Sequence, residues 1–125
     1  MWNIIFYEKE DGSIPVQAFL DALPAKHHAK ALRDIDILEK YGTSLTEPHV
    51  KHIKGKLWEL RIKSASDISR IFYFVAVGND IVLLHGFVKK TQKTPNREIE
   101  TANNYLEIIK GGIRDDLQGI QKDCA

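Results

Sequence analysis

The sequence predicts an α+β domain: a mainly antiparallel β-sheet of about four strands, with an N-terminal helical pair and a C-terminal helix. Three observations predict it. Apolar residues recur at helical spacing from Val16 to Leu38, then change to strict alternation at Leu57. Two apolar runs, 68–77 and 81–88, are divided by Gly78-Asn79-Asp80, the chemistry of a tight hairpin. Helical spacing then returns after Pro95. The resulting order, β-α-α-β-β-β-α, keeps helices and strands in separate runs, as α+β domains do.

Taken in order, residues 2–7 are bulky and strand-favouring, and 8–13 carry turn chemistry. Ser13 stands where it can cap a helix, with Pro15 in the first turn. Val16, Phe19, Leu20 and Leu23 give that helix an apolar face, and Pro24 ends it. A second helix runs from Ala25 to Gly42, a natural C-cap. Its expected inward residues are Ala29, Leu32, Ile35 and Leu38, with Lys26, Lys30, Asp34 and Glu39 largely outward. Residues 43–49 form a loop carrying Pro48. In the strand that follows, Leu57, Glu59, Arg61 and Lys63 share one parity and Trp58, Leu60 and Ile62 the other, which predicts a half-buried strand with a polar face. In the next strand Arg70 shares parity with Phe72, Phe74 and Ala76. Strands as apolar as these belong at the centre of a sheet, covered on both faces. Residues 89–96 read as a basic loop. Pro95 opens the last helix, through Glu98, Ala102, Tyr105, Leu106 and Ile109, and Gly111-Gly112 breaks it. The chain thus divides into one domain, 1–110, and a C-terminal extension, 111–125. That extension is either a short helix using Ile113, Leu117 and Ile120 or disordered.

Composition narrows the functional classes. The single cysteine, Cys124, excludes both an intrachain disulfide and a cysteine-based zinc cluster, and fits a reducing cytoplasmic setting. The N-terminal apolar run is too short for a signal peptide or membrane anchor, and the two apolar strands are too short to cross a bilayer as helices. His and carboxylate residues show no metal-ligand spacing, so neither metal nor cofactor is expected. The formal net charge of +1 hides a strong asymmetry. Residues 49–97 carry ten Lys and Arg against Glu59, Asp67 and Asp80, a local charge of +7, which leaves −6 for the rest of the chain. Such a segment faces either an anionic partner, most often nucleic acid, or simply water.

Three stretches, KGKLWELRIK, SRIFYFVAVGNDIVLLHGFVKKTQKTP and REIETANNYL, resemble the RelE/HigB superfamily of toxins from bacterial and phage toxin–antitoxin systems. The phage-derived, Gp49-like branch is the most similar, and the likeness covers roughly residues 1–110. The resemblance implies a RelE-like fold, and an mRNA endoribonuclease that works in the ribosomal A site and is silenced by a cognate helix-turn-helix antitoxin. A ParE-like inhibitor of gyrase, or a phage accessory protein that binds RNA without cutting it, uses a comparable scaffold, so fold alone does not choose among them.

A metal-free ribonuclease turns the RNA 2′-hydroxyl into the nucleophile. It must remove that proton, stabilise the phosphorane and protonate the leaving 5′-oxygen. Arginine suits the middle task because its rigid fork holds phosphate oxygens and stays charged. Arg70 is expected to clamp the phosphate with Arg61 as its partner, both matching basic residues in the family's cleft. The alternative is an ordinary ion pair with Glu59 or Asp67. Lys54 and Lys56, flanking Gly55, would grip RNA or ribosomal backbone unless they are merely solvated. Lys89, Lys90 and Lys93 leave the third meander strand beside the cleft, with Lys90 the expected proton donor. His85 is the natural acid–base residue, or else a core histidine. Phe87, Tyr73 or Trp58 would stack on a base unless committed to the core. His49 and His52 are weaker candidates, and His27 and His28 are expected on a helix surface. Glu59 departs from the basic residue that some family ribonucleases place there, and Tyr105 does not match the family's C-terminal catalytic tyrosine, which leaves the general base open.

Overall fold

The computed structural model describes residues 1–90 and 93–122, with side chains up to Gly111. The chain runs β1 (Asn3–Phe6), α1 (Pro15–Asp21), α2 (Ala25–Tyr41), a 3-10 turn (Gly42–Ser44), β2 (Val50–Lys54), β3 (Leu57–Ser64), β4 (Asp67–Val75), β5 (Asp80–Lys89) and α3 (Asn96–Lys122). One five-stranded sheet results, in the order β1-β5-β4-β3-β2. The α+β class stands. The sheet has five strands rather than about four, and it is mixed, because β1 lies parallel to β5 with Asn3 opposite Asp80.

The additional strand, β2, falls where the sequence suggested loop. In VKHIK only Val50 is fully buried, because β2 is an edge strand and its lysines face water. At the other end of the chain, the break expected at Gly111-Gly112 is absent, and α3 continues to Lys122. The apolar positions Ile113, Leu117 and Ile120 and the residue Cys124 lie outside the described side chains.

The sheet is covered on both faces. On one, Val16 and Leu20 of α1 and Ala31, Ile35 and Leu38 of α2 pack on Leu60, Ile62, Ile71, Tyr73, Ile81 and Leu83. On the other, Ala102 and Leu106 of α3 pack on Leu57, Phe72, Phe74, Val82, Leu84 and Phe87. The final helix therefore uses the residues its spacing predicted. α2 is rotated from expectation: His27 and Asp34 are buried, while Leu32 is 43% exposed. Two polar contacts hold that rotation, His27 Nε2 to Ser69 Oγ at 2.7 Å and Lys30 Nζ to Asp34 at 2.6 Å. The helix thus buries two polar groups that have partners. Ser13 does not cap α1, whose N-cap is Ile14; its backbone N–H and hydroxyl both donate to Asp11.

Strand β5 holds one residue more than β4 between the pairs Tyr73–Leu83 and Phe72–His85. This bulge at Leu84 leaves Leu84 and His85 on the α3 side of the sheet, and turns Gly86 toward α1. The ring of Phe19 lies so close over Gly86 that an added Cβ would overlap it. Gly86→Ala is therefore expected to destabilise the domain by about 1–3 kcal/mol, read as a lower midpoint in urea. Gly55→Ala, where the added carbon meets nothing within 4 Å, separates steric overlap from the strain of a positive φ.

Burial also pushes the Tyr73 hydroxyl well above the ordinary tyrosine range. The unfolded chain releases this proton first, so the stability carried by the neutral phenol is complete below about pH 10 and falls as pH rises beyond it. Tyr73→Phe is expected to flatten that alkaline loss. Melting temperatures of the two proteins, followed upward from neutral pH, check it: parallel curves would contradict the assignment.

Candidate functional site

The site grows from the register of β3, β4 and β5. Arg61 stands directly opposite Arg70, and Arg70 opposite Phe87. One row further in, Lys51 stands opposite Glu59, Glu59 opposite Phe72, and Phe72 opposite His85. One row further out, Lys63 pairs with Ile68 and Ile68 with Lys89. Cross-strand partners share a face, so these rows make a lattice on the α3 side of the sheet, running from Phe72 and Phe87 under α3 out to Lys63 and Lys89.

Cross-strand Cβ atoms lie about 5 Å apart, and like charges at that spacing repel. Arg61 and Arg70 nevertheless face each other, with Lys51 and Lys89 close by. The reconciling group is Glu59, only 2% exposed, whose Oε2 lies 3.6 Å from Nε of the 4%-exposed Arg70. That separation is an ion contact and too long for a hydrogen bond. Among the described residues neither Arg70 Nε nor Glu59 Oε1 has a hydrogen-bond partner, while Arg70 Nη1 donates to the Ser69 carbonyl at 2.9 Å. Burial pushes the Arg70 pKa down, attraction to Glu59 pushes it up, and repulsion from Arg61 pushes it down again. Lys89 is held below the ordinary lysine range, first by burial and then by Arg70, with Glu59 opposing and Arg61 and Lys51 adding to the repulsion. The cluster therefore holds four cations around one carboxylate, a site with unmet demand for an anion.

Arg61, Lys63 and Arg70 also line a groove of about 390 Å³, together with Lys30, Asp34 and His49. It opens at the end of β3 that extends beyond Val50, the first residue of β2 to pair. On the α3 side of the cluster, His85 Nε2 lies 2.7 Å from Glu98 Oε1 in the first turn of α3. The imidazole stacks with Phe72 and Phe87 and meets the edge of Tyr105. His85 is thus oriented by a carboxylate and remains partly open to solvent, rather than sealed in the core.

The structure brings together Arg61, Arg70, Lys89 and His85 from the residues the sequence put forward. It separates others from them. Lys54 and Lys56 are exposed on the β2–β3 hairpin, beside Leu57 at the start of β3, and so at the far end of that strand from Arg61 and the groove. Lys90 is exposed beyond the last paired residue of β5, and Lys93 is exposed in the connection to α3. Phe87 is 7% exposed and stacked on Phe72, so its ring belongs to the core and is not free to take a base. Tyr73 is core as well, whereas Trp58 stays half-buried against His52. His27 is buried against Ser69, not on the surface. Sequence reasoning gave no role to Lys51 or Glu98; it offered Glu59 both as a departure from the family and as an ion-pair partner of the strand arginines, and the structure shows that ion pair for Arg70. The usable signals were the alternation of VKHIK and the acidic first turn of α3. Among the described residues no group of three or more His, Cys, Asp or Glu is placed to hold a metal ion. No helix among them is long and apolar enough to cross a membrane.

Fold and site together define a small single-sheet α+β protein that gathers cations of neighbouring strands around one buried carboxylate. Residues 18–107 match the family described as Phage derived protein Gp49-like, and the chain belongs to that family, within the HigB/RelE-like toxins. Among characterised proteins it is similar to the "Probable endoribonuclease HigB1" of Mycobacterium tuberculosis, in both strain CDC 1551 / Oshkosh and strain ATCC 25618 / H37Rv. Identity is 32% over 111 residues, covering 88% of this chain and 86% of the relative in each case.

The burial of the Arg70–Glu59 pair has a measurable cost. Arg70→Ala strands the Glu59 carboxylate in an apolar setting and is expected to destabilise the domain by about 3–5 kcal/mol. Arg70→Met combined with Glu59→Leu removes both charges at similar volume and should recover most of that loss in chemical denaturation. A double variant no more stable than Arg70→Ala would show that the pair is not coupled.

Proposed function

We propose that this protein is the toxin of a type II toxin–antitoxin pair, and that it is a metal-independent endoribonuclease cutting mRNA on the ribosome in the cytoplasm. The observation that carries the reading is the cluster of Lys51, Arg61, Arg70 and Lys89 around Glu59, set beside the His85–Glu98 pair. The HigB1 likeness supports an RNA phosphate as the anion.

The residues divide the chemistry among them. Arg70 and Arg61 bind the non-bridging phosphate oxygens and stabilise the charge that builds as the 2′-oxygen bonds to phosphorus. His85, oriented by Glu98, takes the 2′-hydroxyl proton. Lys89 gives a proton to the 5′-oxygen as its bond to phosphorus breaks. Its lowered pKa makes it a better donor than an ordinary lysine, and it replaces Lys90 in this role because Lys89 is the lysine inside the cluster. The exposed lysines at 54, 56, 90 and 93 hold RNA and ribosomal backbone around the groove. The cleft supplies charge while the decoding site aligns the RNA, which is why the ribosome is required. An acidic helix-turn-helix antitoxin, complementary to the basic face, keeps the toxin silent.

Mapping RNA ends after induced expression tests this. Cuts within translated codons are expected, and Arg61→Ala should lower the cleavage rate by about 10²-fold. Purified protein should cut free RNA poorly, and chelation of divalent metals should leave ribosome-bound cleavage unchanged wherever the ribosomes remain intact. Intact mRNA accompanied by an SOS response would overturn the reading in favour of gyrase as the target.

A further inference from the structure

We infer that Glu59 is a positioning residue for Arg70: it fixes the guanidinium at its Nε side by charge, so that the donors not taken by the Ser69 carbonyl remain for the phosphate. This deepens the proposed function and rests on it for the identity of the anion. Three observations carry it. First, Glu59 lies one row inside Arg70 in the sheet, opposite Phe72, on the parity that continues to Leu57 beneath α3. Arg70 lines the groove, whereas Glu59 is buried and is not among the described residues that line it, so any effect of Glu59 on the reaction passes through another residue. Second, the contact to Arg70 Nε is 3.6 Å, and Glu59 Oε1 has no hydrogen-bond partner among the described residues. A carboxylate forming two parallel hydrogen bonds would occupy the fork that a phosphate needs. This one orients the side chain by charge without occupying its donors. Third, the Ser69 carbonyl takes an Nη1 proton of Arg70 at 2.9 Å, so the guanidinium is held at two points. Arg70 also lines the groove.

Buried polar atoms without partners are rare and costly to keep. Here they lie in a cluster where like charges, Arg61 and Arg70, face each other across two strands. Without Glu59, Arg61, Lys51 and Lys89 would push the Arg70 guanidinium out toward water, away from the place where a phosphate must meet it.

The test uses Glu59→Gln in the full-length protein, a change that keeps volume and removes charge, with two readouts. In ¹⁵N NMR, the Arg70 Nε–H resonance, assigned by its loss in Arg70→Lys, should move to the position of solvent-averaged arginines. In ribosome-bound mRNA cleavage, kcat should fall by about 10²-fold with KM nearly unchanged. In an Arg70→Lys background, Glu59→Gln should add no further loss, because its effect runs through Arg70. An unmoved Nε–H resonance in folded Glu59→Gln, or losses that add in the double variant, would overturn the inference. If Glu59→Gln does not fold, Glu59→Asp takes its place: the charge is kept but withdrawn by one methylene, and an unmoved resonance there overturns it equally. A wild-type protein that cuts no RNA sinks the proposed function, and the NMR readout still decides the role of Glu59.

Discussion

Between Tyr73, which pairs with Leu83, and Phe72, which pairs with His85, strand β5 accommodates one residue that β4 does not. Much of the site follows from that insertion. Side chains alternate along a strand, so a slip of one residue moves every later side chain to the opposite face. Ile81 and Leu83 face α1 and α2, and uninterrupted alternation would send His85, Phe87 and Lys89 after them. The bulge turns all three toward the face that Arg61 and Arg70 share. It also puts Gly86, the one residue without a side chain, beneath Phe19, which lets α1 close on the sheet. The placement of His85 and Lys89 and the docking of α1 therefore depend on the same irregularity.

The second constraint is electrostatic. A central sheet position is a poor solvent for a guanidinium, and two arginines across one strand pair make it worse. Glu59 offsets this without neutralising the cluster, because one carboxylate serves Arg70 and Lys89 at once and excess positive charge remains. Replacing a buried ion pair with apolar residues is often no less stable. The pair is better explained by what it does to the geometry of Arg70 than by any gain in stability. The His85–Glu98 contact ties the first turn of α3 to β5, so the helix that covers the apolar half of this face also orients the group at its edge.

The same lattice explains why basic residues close in sequence part company in space. Lys54, Lys56 and Arg61 lie within one short stretch, yet the strand between them carries the hairpin lysines to one end of the sheet and Arg61 to the other. Conversely Lys51, Glu59, Arg70 and Lys89, set on four successive strands, meet because neighbouring strands align them. A basic segment is visible in composition, but its division into a cleft and an outlying surface is a property of register.

Periodicity and turn chemistry were enough to determine the α+β class, the helices at 15–21 and 25–41, the three-stranded meander and the apolar face of α3, since each of these depends on neighbours a few residues away. Local pattern also placed Arg70 on the face of Phe72 and Phe74. What tertiary structure decided is whatever depends on distant partners. The parallel pairing of β1 with β5, the lysine-rich edge strand β2, the rotation of α2 that buries His27 and Asp34, and the continuation of α3 through Gly111 belong to that group. So does the bulge at Leu84. An isolated strand does not encode which neighbour it will pair with or where a residue will be left over, because those are settled only when the helices on either side compete for the two faces of the sheet.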